Sequence, residues 1–580
     1  MSVMSSQESI LSGRRISLTW VIQAAAVLIL LYLVSVPLFM NLVTAFRGPP
    51  ESLPLDPGTF FTFDNFKSIY QFPRVLTIFR DTFAFALGSV ALAFVFGFTL
   101  AFLVERTDMP FKTVVYVTAL TPLMMPTIVV VLAWMFMLGN SGGLINVLIR
   151  TVLHLPGTGP FDVFSLYGMI IIQGASLIPL AFLFSSSALK GMAPSFEEAS
   201  AASGAFFLTT LRRVTLPVLR PHLLSLLILM FILSIETFEV PALVGVGAQR
   251  QVFATEIYWS LNPSIGLPQY GEAASLALTF LAIAYFLFFE YSRQMRDAAR
   301  FATVTGKGFR PRQIELGRWK AAAFAFVAVI GLVQVVFPIV VLLMASFMNR
   351  FVVPFLQPLP PLTLHAYRDV LTDPRFLAAI PNTIFVAGTS AFIVSTVSSA
   401  IAWLVGRSSF PGRKLLDFIA SSSVTVPSVV VAFSFLIFYL SIVDWLPVYG
   451  TIWILVLVFS YRMTVGYRIN LAAITQLSRE LEEASEASGA AWPTTFRRIV
   501  IPLIMPSFVA SFLLVFFLGF RDATLPLIIG SRDTPMLTPL IWEHIRVGEL
   551  GPAAAESVIS LIIMLIIGTL MRKFLFGYVK

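Results

Sequence analysis

The chain has 580 residues, of which 57% are hydrophobic and 12% are charged, and its mean hydropathy is +0.88. Soluble domains carry about 25% charged residues, so this composition excludes a soluble globular protein and indicates a membrane protein. The absence of cysteine excludes disulfides, thiolate metal sites and a cysteine nucleophile. The net charge of +9 comes from short basic clusters between apolar runs, which favours contact with lipid headgroups over binding of nucleic acid.

Twelve apolar segments follow one another along the chain, each near the roughly 20 residues that a helix needs to cross a bilayer. The first follows Arg14 and Arg15, but it is longer than the apolar core of a signal peptide and lacks a cleavage site of small residues, so we expect it to be retained. The sequence therefore predicts an all-α polytopic membrane protein with about twelve transmembrane helices. The predicted segments are 20–46, 81–104, 113–138, 164–189, 222–246, 272–291, 320–347, 382–405, 415–442, 448–472, 505–529 and 557–577.

The chain also contains an internal duplication. An offset of 285 residues relates Gly204 to Gly489, and further upstream an offset of 301 residues relates Pro126 to Pro427. We therefore predict two homologous six-helix halves. In that arrangement the basic clusters share one face, which the positive-inside rule makes cytoplasmic, together with both termini. The predicted domains are residues 1–291, the basic linker 292–319 and residues 320–580.

Two other features of the sequence predict no site. The linker contains TGKG at 305–308, but it lacks the glycine five residues before Gly306 and has Gly308 where a phosphate-binding loop has Ser or Thr. The four histidines are far apart and form no metal-binding spacing. They are His154, His222, His365 and His544.

One polar segment with two adjacent arginines occurs in both halves. EEASAASGAFFLTTLRRVTLPVLRP at 197–221 returns as EEASEASGAAWPTTFRRIVIPLIMP at 482–506. A single copy is equally compatible with a plain connector between spans. The second copy keeps both glutamates, the glycine, the arginine pair and both prolines, and a connector needs no such agreement. Two equivalent docking partners, or one two-fold symmetric partner, are therefore expected.

Local signals in the first copy predict a helix–turn–helix elbow on the cytoplasmic face. Ser195 and Glu198 fit a capping box, with Ser at the N-cap and Glu three residues later. Gly204 suits the positive φ angle of a helix C-terminus. Pro217 is expected to end the second helical piece before the next span.

The two copies resemble the EAA…G cytoplasmic loop of MetI-like ABC importer permeases. Glu198-Ala199-Ser200 with Gly204, and Glu483-Ala484-Ser485 with Gly489, fit that pattern with Ser in place of the third alanine, and Leu216-Pro217 and Ile501-Pro502 complete it. Over essentially the whole chain the layout is similar to a tandem fusion of two permeases, as in ferric-iron and thiamine importers.

This resemblance implies partners and a division of labour. Each elbow would insert a coupling helix into one of two separate ABC ATPase subunits, which are expected to form a homodimer. These subunits would use ATP and Mg²⁺. The chain itself is therefore expected not to be an enzyme and to have no intrinsic cofactor. A periplasmic binding protein would deliver the solute to this bacterial inner-membrane subunit. The implied coupling positions are Glu197, Glu198, Ala199, Gly204, Glu482, Glu483, Ala484 and Gly489.

The identity of the solute also depends on the resemblance. The segments ETFEVPALVG and TVTGKGFRPR resemble those of iron(III) permeases, so iron(III) is the favoured solute. Thiamine, polyamines, phosphonates and other small solutes remain open. A secondary active transporter is the alternative class, but it needs its own ion-coupling site and does not explain the paired elbows. A membrane-embedded enzyme lacks a catalytic constellation.

Ionisable residues inside predicted spans are costly and usually functional. The offset of 285 relates Glu236 to Arg521, and a pseudo-two-fold axis along the membrane normal would let these two residues pair across it. Arg462 either contacts an anionic solute or packs against helix carbonyls. We predict that these groups line or gate the translocation path, with a purely structural ion pair as the alternative. The predicted pathway residues are Glu236, Glu239, Arg521, Asp522 and Arg462.

Overall fold

The computed structural model describes residues 18–71, 73–140, 142–300, 313–348, 351–353, 358, 360–408 and 412–578. The helices of the first half are α1 (Leu18–Ala45), α2 (Asp64–Ile69), α3 (Arg74–Arg106), α4 (Lys112–Leu120), α5 (Thr127–Leu138), α6 (Leu144–Leu153), α7 (Leu166–Gly191), α8 (Ser195–Ala202), α9 (Phe207–Thr210), α10 (Leu216–Glu236), α11 (Phe253–Leu261) and α12 (Tyr270–Arg300). Two short strands, β1 (Arg47–Gly48) and β2 (Phe60–Phe61), pair antiparallel.

The second half repeats this order. Its helices are α13 (Lys320–Gly331), α14 (Phe337–Ser346), α15 (His365–Thr372), α16 (Pro374–Arg407), α17 (Arg413–Ser422), α18 (Ser428–Ser441), α19 (Ile452–Phe459), α20 (Met463–Gln476), α21 (Glu480–Ala487), α22 (Trp492–Thr495), α23 (Ile501–Arg521), α24 (Thr524–Ile529), α25 (Leu537–Val547) and α26 (Leu550–Tyr578). Helices dominate because an apolar segment in lipid must satisfy its backbone hydrogen bonds internally.

Nine helices of the described residues are long and apolar enough to cross a membrane, and three bent helix pairs qualify when each pair is taken together. The third predicted span of each half is one such pair, bent by 108° between α4 and α5 and again by 108° between α17 and α18. Each bend precedes a proline, and Met125 and Val426 have the extended conformation that a following proline favours. The ranges 113–138 and 415–442 predicted for these spans coincide with the two bent pairs, and the bends themselves are a feature that the ranges do not give. The third pair, α19 and α20, is bent by 48°.

The bent third spans cross the membrane rather than returning to the face they left. Helices α3 and α7 pack side by side in the same direction, since Gly97 lies against Ala181 and Arg106 reaches the carbonyl of Leu189. The chain between two parallel helices must cross back. The same holds in the second half, where Gly466 of α20 lies against Ser398 of α16. The described residues thus confirm an all-α fold with nine spanning helices, or up to twelve spans when each bent pair is counted as one.

The two halves interlock through their first helices. Helix α1 packs on α16 and α18 of the second half, and α14 packs on α5 of the first. The hydroxyls of Tyr32 and Tyr439 make one contact between the halves. In another, Gln334 Nε2 donates to the carbonyl of Ala175 at 3.0 Å. Neither half is therefore an independent bundle.

We call the segments 195–215 and 480–500 the two elbows, and the face on which they lie the elbow face. In each elbow a glycine at φ +78°, Gly204 or Gly489, turns the chain as expected. The predicted capping box is wrong, because the helix begins at Ser195 itself, directly after Pro194, and no side chain caps it.

The predicted helix break at Pro217 is also wrong. A π-helical turn, Leu211–Thr215, leads into α10, so that 207–236 forms one continuous helix with Pro217 near the start of α10. The wider π turn relieves the clash between the proline ring and the preceding turn. The second elbow repeats this device with the π turn Phe496–Val500 before Pro502.

Candidate functional site

A buried arginine fastens the first elbow to the body of the protein. Arg106, the last residue of α3, has a side chain that is 2% exposed, and its Nε lies 2.9 Å from Glu197 Oε2. Its Nη2 donates to the carbonyl of Leu189 at 2.8 Å and lies 3.4 Å from that of Met192. Thr215 Oγ1 donates to the other oxygen of Glu197 at 2.8 Å. One guanidinium thus joins three segments of the chain.

The second elbow has the same fastening at equivalent positions. Arg407, the last residue of α16, lies 3.7 Å from Glu482 and donates to the carbonyls of Ile474, at 2.9 Å, and Leu477. Offsets of 301 and 285 residues relate Arg407, Glu482, Ile474 and Leu477 to their counterparts in the first half, whereas Val500 stands where Thr215 donates to Glu197. Two sequences that have diverged around this contact have kept it, which indicates that its geometry matters.

Each elbow is closed by a second repeated contact and presents an outer surface. Ser200 is 2.8 Å from Thr210 in the first elbow, and Ser485 is 2.8 Å from Thr495 in the second. The first elbow also exposes Phe206, which is 84% accessible, beside other apolar side chains. Of the predicted coupling positions, Glu197 and Glu482 point inward to arginines. The remaining six lie at the surface, with Glu198 half-buried and Ala199, Gly204, Glu483, Ala484 and Gly489 exposed.

The predicted ion pair between Glu236 and Arg521 is not among the contacts of the described residues. Glu236 Oε1 instead accepts hydrogen bonds from the amide, at 3.2 Å, and the hydroxyl, at 2.9 Å, of Ser428 in the second half. Arg521 donates to the carbonyl of Leu123, at 2.5 Å, and to Thr127 Oγ1, at 3.3 Å, in the first half.

These two contacts are related by the duplication. Ser428 and Thr127 are equivalent, and each begins the helix after the proline bend of a third span. We call the contacts Glu236–Ser428 and Arg521–Thr127 the crossed latches. Each connects the end of the fifth span of one half to the bend in the other half, so the pseudo-symmetry is present although the two charges do not meet.

The pseudo-two-fold axis brings a different pair of equivalent residues together. Thr524 Oγ1 donates to Glu239 Oε1 at 3.1 Å, and these residues are 285 positions apart. Arg462, at the break between α19 and α20, pairs with Asp522 and donates to the carbonyl of Leu518 at 3.1 Å. The structure thus brings all five predicted pathway residues to the ends of the fifth spans and the adjoining breaks.

A cavity of about 1080 Å³ lies between the halves on the elbow side of these residues. Leu233 in its lining is one helical turn before Glu236, and Thr425 is three residues before Ser428. The first half otherwise contributes mainly aromatic side chains, and the second half contributes Asp417, Thr464 and Arg468. The Glu236–Ser428 contact therefore lies near the inner end of this cavity.

Comparison with known proteins decides the family. Residues 93–298 and 398–579 each match the family described as binding-protein-dependent transport system inner membrane component, and together they cover more than half of the chain. The chain belongs to this family. It is therefore a multi-pass inner-membrane transport component with the family domain present twice, as the duplication predicts, and we refer to it as the permease.

Several proteins resemble the permease over most of its length. The ferric transport system permease protein FbpB of Actinobacillus pleuropneumoniae is 26% identical over 479 residues, 81% of this chain and 67% of that protein. The Fe(3+)-transport system permease protein FbpB 2 of Haemophilus influenzae is 22% identical over 507 residues, 87% of this chain and 91% of that protein. A solved structure of a bacterial ABC transporter involved in alginate import covers 45% of the permease and 96% of its own chain, at 18% identity and a TM-score of 0.35.

Sequence reasoning missed four functional candidates of the permease. From the sequence, Arg106 and Arg407 were assigned only to the basic clusters of the predicted cytoplasmic face. The offset of 301 residues that relates them could have marked them as equivalent positions. Thr127 and Ser428 carry no charge, and their role depends on a carboxylate or a guanidinium from the other half. Only their position directly after the two equivalent prolines could have drawn attention to them.

Proposed function

We propose that the permease is the membrane subunit of an ATP-driven importer and that its two elbows receive two ATPase subunits, which form a homodimer. The observation that carries this proposal is the repeated elbow, with its internal contacts conserved between the halves. A two-fold symmetric motor needs two matching attachment sites on one face. ATP and Mg²⁺ are used by the ATPase, and residues 1–291 and 320–580, joined by the linker 292–319, are the two moving halves.

The elbow face is then cytoplasmic, with both termini on that side. The basic residues near the elbows, among them Arg212, Arg213 and Arg220, support this orientation through the positive-inside rule. A periplasmic binding protein would deliver the solute to the opposite face, where α11 and α25 lie. The six surface positions of the elbows, rather than Glu197 and Glu482, would contact the ATPase.

Iron(III) is the solute that we propose, because two ferric transport permeases resemble the chain over most of its length. Thiamine, polyamines, phosphonates and other small solutes are the alternatives at identities of 22–26%. The path would run through the cavity between the halves and past Glu236, Glu239, Arg521, Asp522 and Arg462. The crossed latches would close this path, since each spans the interface between the halves.

The proposal is tested with purified permease and its genetically neighbouring ATPase in proteoliposomes. We expect the ATPase to co-purify and iron(III) uptake from a loaded binding protein to require ATP. Reversing charge on both elbows, with Glu198→Arg and Glu483→Arg, should abolish ATPase attachment. Glu51→Arg, a charge reversal at an exposed position on the opposite face, is the matched control. Uptake that follows an ion gradient without ATP would instead indicate a secondary transporter.

A further inference from the structure

The arginines that fasten the elbows stand at the ends of two long continuous helices. Helix α3 has 33 residues and α16 has 34, and Arg106 and Arg407 are their last residues. Each guanidinium meets a carboxylate of an elbow and backbone carbonyls at the C-terminal end of the neighbouring helix. Those carbonyls lie in the last turn of that helix, at the negative end of the helix dipole, and each also accepts one backbone amide. The positive charge is therefore balanced from two sides in a buried position.

The far ends of the same helices carry a second pair of equivalent joints. Thr82 Oγ1 of α3 accepts a hydrogen bond from the amide of Phe253, the first residue of α11, at 3.2 Å. Thr383 Oγ1 of α16 accepts one from the amide of Leu537, the first residue of α25, at 3.1 Å. Thr82 and Thr383 are 301 residues apart, so this joint is also duplicated.

Each helix therefore joins an elbow on one face to a short helix on the other. A continuous α-helix rises 1.5 Å per residue, so the 24 residues from Thr82 to Arg106 extend over roughly 36 Å. Helix α3 packs closely on α7, since there is no room at Gly97 for a side chain. At the opposite face α11 and α25 contribute Tyr258, Trp542 and Glu543 to a cavity of about 390 Å³.

We propose that Arg106 and Arg407 are positioning residues that join each elbow to a rigid helix and so transmit movement of the elbow to α11 and α25 at the opposite face. The inference rests on the proposed function, in which an ATPase moves the elbows. Glu197 and Glu482 then serve as the elbow ends of two internal joints and not as contacts to the ATPase. When an elbow is displaced, its carboxylate, the arginine and the end of the long helix move with it as one unit, because leaving the buried guanidinium unpaired is costly.

Absence of native cysteine allows the movement to be measured directly. Cysteines introduced at Ile265, in the loop after α11, and at Val547, at the end of α25, occupy exposed positions for spin labels. The distance between the labels is measured by pulsed electron paramagnetic resonance on the permease–ATPase complex in nanodiscs, with and without a non-hydrolysable ATP analogue and Mg²⁺. This readout does not depend on the identity of the solute.

We expect the nucleotide to change the distance in the otherwise unaltered complex. Glu197→Gln together with Glu482→Gln should remove at least half of that change, while the ATPase still co-purifies and keeps its basal rate of hydrolysis. Arg106→Lys with Arg407→Lys, which keeps the charges, should restore part of the change relative to Arg106→Ala with Arg407→Ala. Arg220→Ala, which removes an exposed arginine of the elbow face, is the matched control.

The possible outcomes separate the inference from the proposed function. A distance change of full size in the glutamine and alanine variants would overturn the inference and leave the proposed function standing. Loss of ATPase attachment in the glutamine variant would also overturn it, because these glutamates would then be docking residues. If the permease without these substitutions bound no ATPase, or if nucleotide did not change the distance between the labels, the proposed function would be overturned and the inference with it.

Discussion

Replacing Asp522 with Asn is expected to destabilise the protein strongly, because Arg462 would keep its charge in a buried position without a counter-ion. The side chains of Arg462 and Asp522 are 14% and 9% exposed. Removing one partner of a buried ion pair costs about 3–5 kcal/mol. The bond from Arg462 to the carbonyl of Leu518 would survive, so we expect a loss at the lower end of this range, about 3 kcal/mol.

The first half supplies a matched control for this pair. At the equivalent positions, 285 residues earlier, it has Leu177 and Thr237, and Thr237 accepts a hydrogen bond from Gln173 Nε2 at 2.8 Å. The double variant Arg462→Leu/Asp522→Thr therefore installs the two side chains that the first half carries at these positions, although Val458 stands where the first half has Gln173. Because an apolar replacement of a buried ion pair is often nearly neutral, we expect it to cost less than about 1.5 kcal/mol.

The measurement is a double-mutant cycle on unfolding in detergent micelles. Denaturant titrations followed by tryptophan fluorescence give the free energy of unfolding of the unaltered protein, of Asp522→Asn, of the single variants Arg462→Leu and Asp522→Thr, and of the double variant. Because each single variant should cost about 3 kcal/mol and the double variant less than about 1.5 kcal/mol, we expect a coupling energy of at least about 4.5 kcal/mol. Costs that add to within about 0.5 kcal/mol would show that the two side chains act independently and that their ion pair does not stabilise the fold.

Three further predictions concern packing, pH and transport. Gly97→Leu should prevent close packing of α3 on α7 and lower the free energy of unfolding by at least about 2 kcal/mol. At Gly388 an added methyl group meets nothing within 4 Å, so Gly388→Ala should leave the free energy of unfolding unchanged or slightly raised in the same denaturant titration. The Glu556 carboxylate, which pairs with His544 Nδ1 at 3.0 Å, stabilises the protonated imidazole and so raises the pKa of His544 from its usual value. The stabilisation of the fold by protonated His544 is complete below the unfolded-state pKa and is lost as the pH rises through the folded-state pKa. Thermal stability should therefore fall above about pH 6.5. An equal fall in the variant His544→Gln would contradict this cause. Glu236→Gln should impair solute uptake in proteoliposomes without affecting ATPase co-purification, and unchanged uptake would exclude a role in gating.

Local signals predicted the parts of the candidate site that depend on neighbours in sequence. The positive φ of Gly204 and Gly489 follows from the need for a residue without a Cβ after a short helix. The capping role of Ser195 and the helix break at Pro217 were predicted wrongly, because the helix begins one residue earlier, after Pro194, and a π turn accommodates Pro217. The bends before Pro126 and Pro427 carried the usual signal for an extended residue, but a long apolar run obscured it.

Composition and repetition along the chain determined by themselves that this is a membrane protein of two related halves with twelve spans and two elbows, because apolar length and internal similarity need no knowledge of neighbours in space. The uncharged partners of Glu236 and Arg521 follow only from the packing of the two halves. Glu236 reaches Ser428, 192 residues away, and Arg521 reaches Thr127, 394 residues away, since each half places its fifth span against the bent helix of the other. Relative placement of two packed bundles depends on the summed shape of many side chains, which a single sequence pattern does not report.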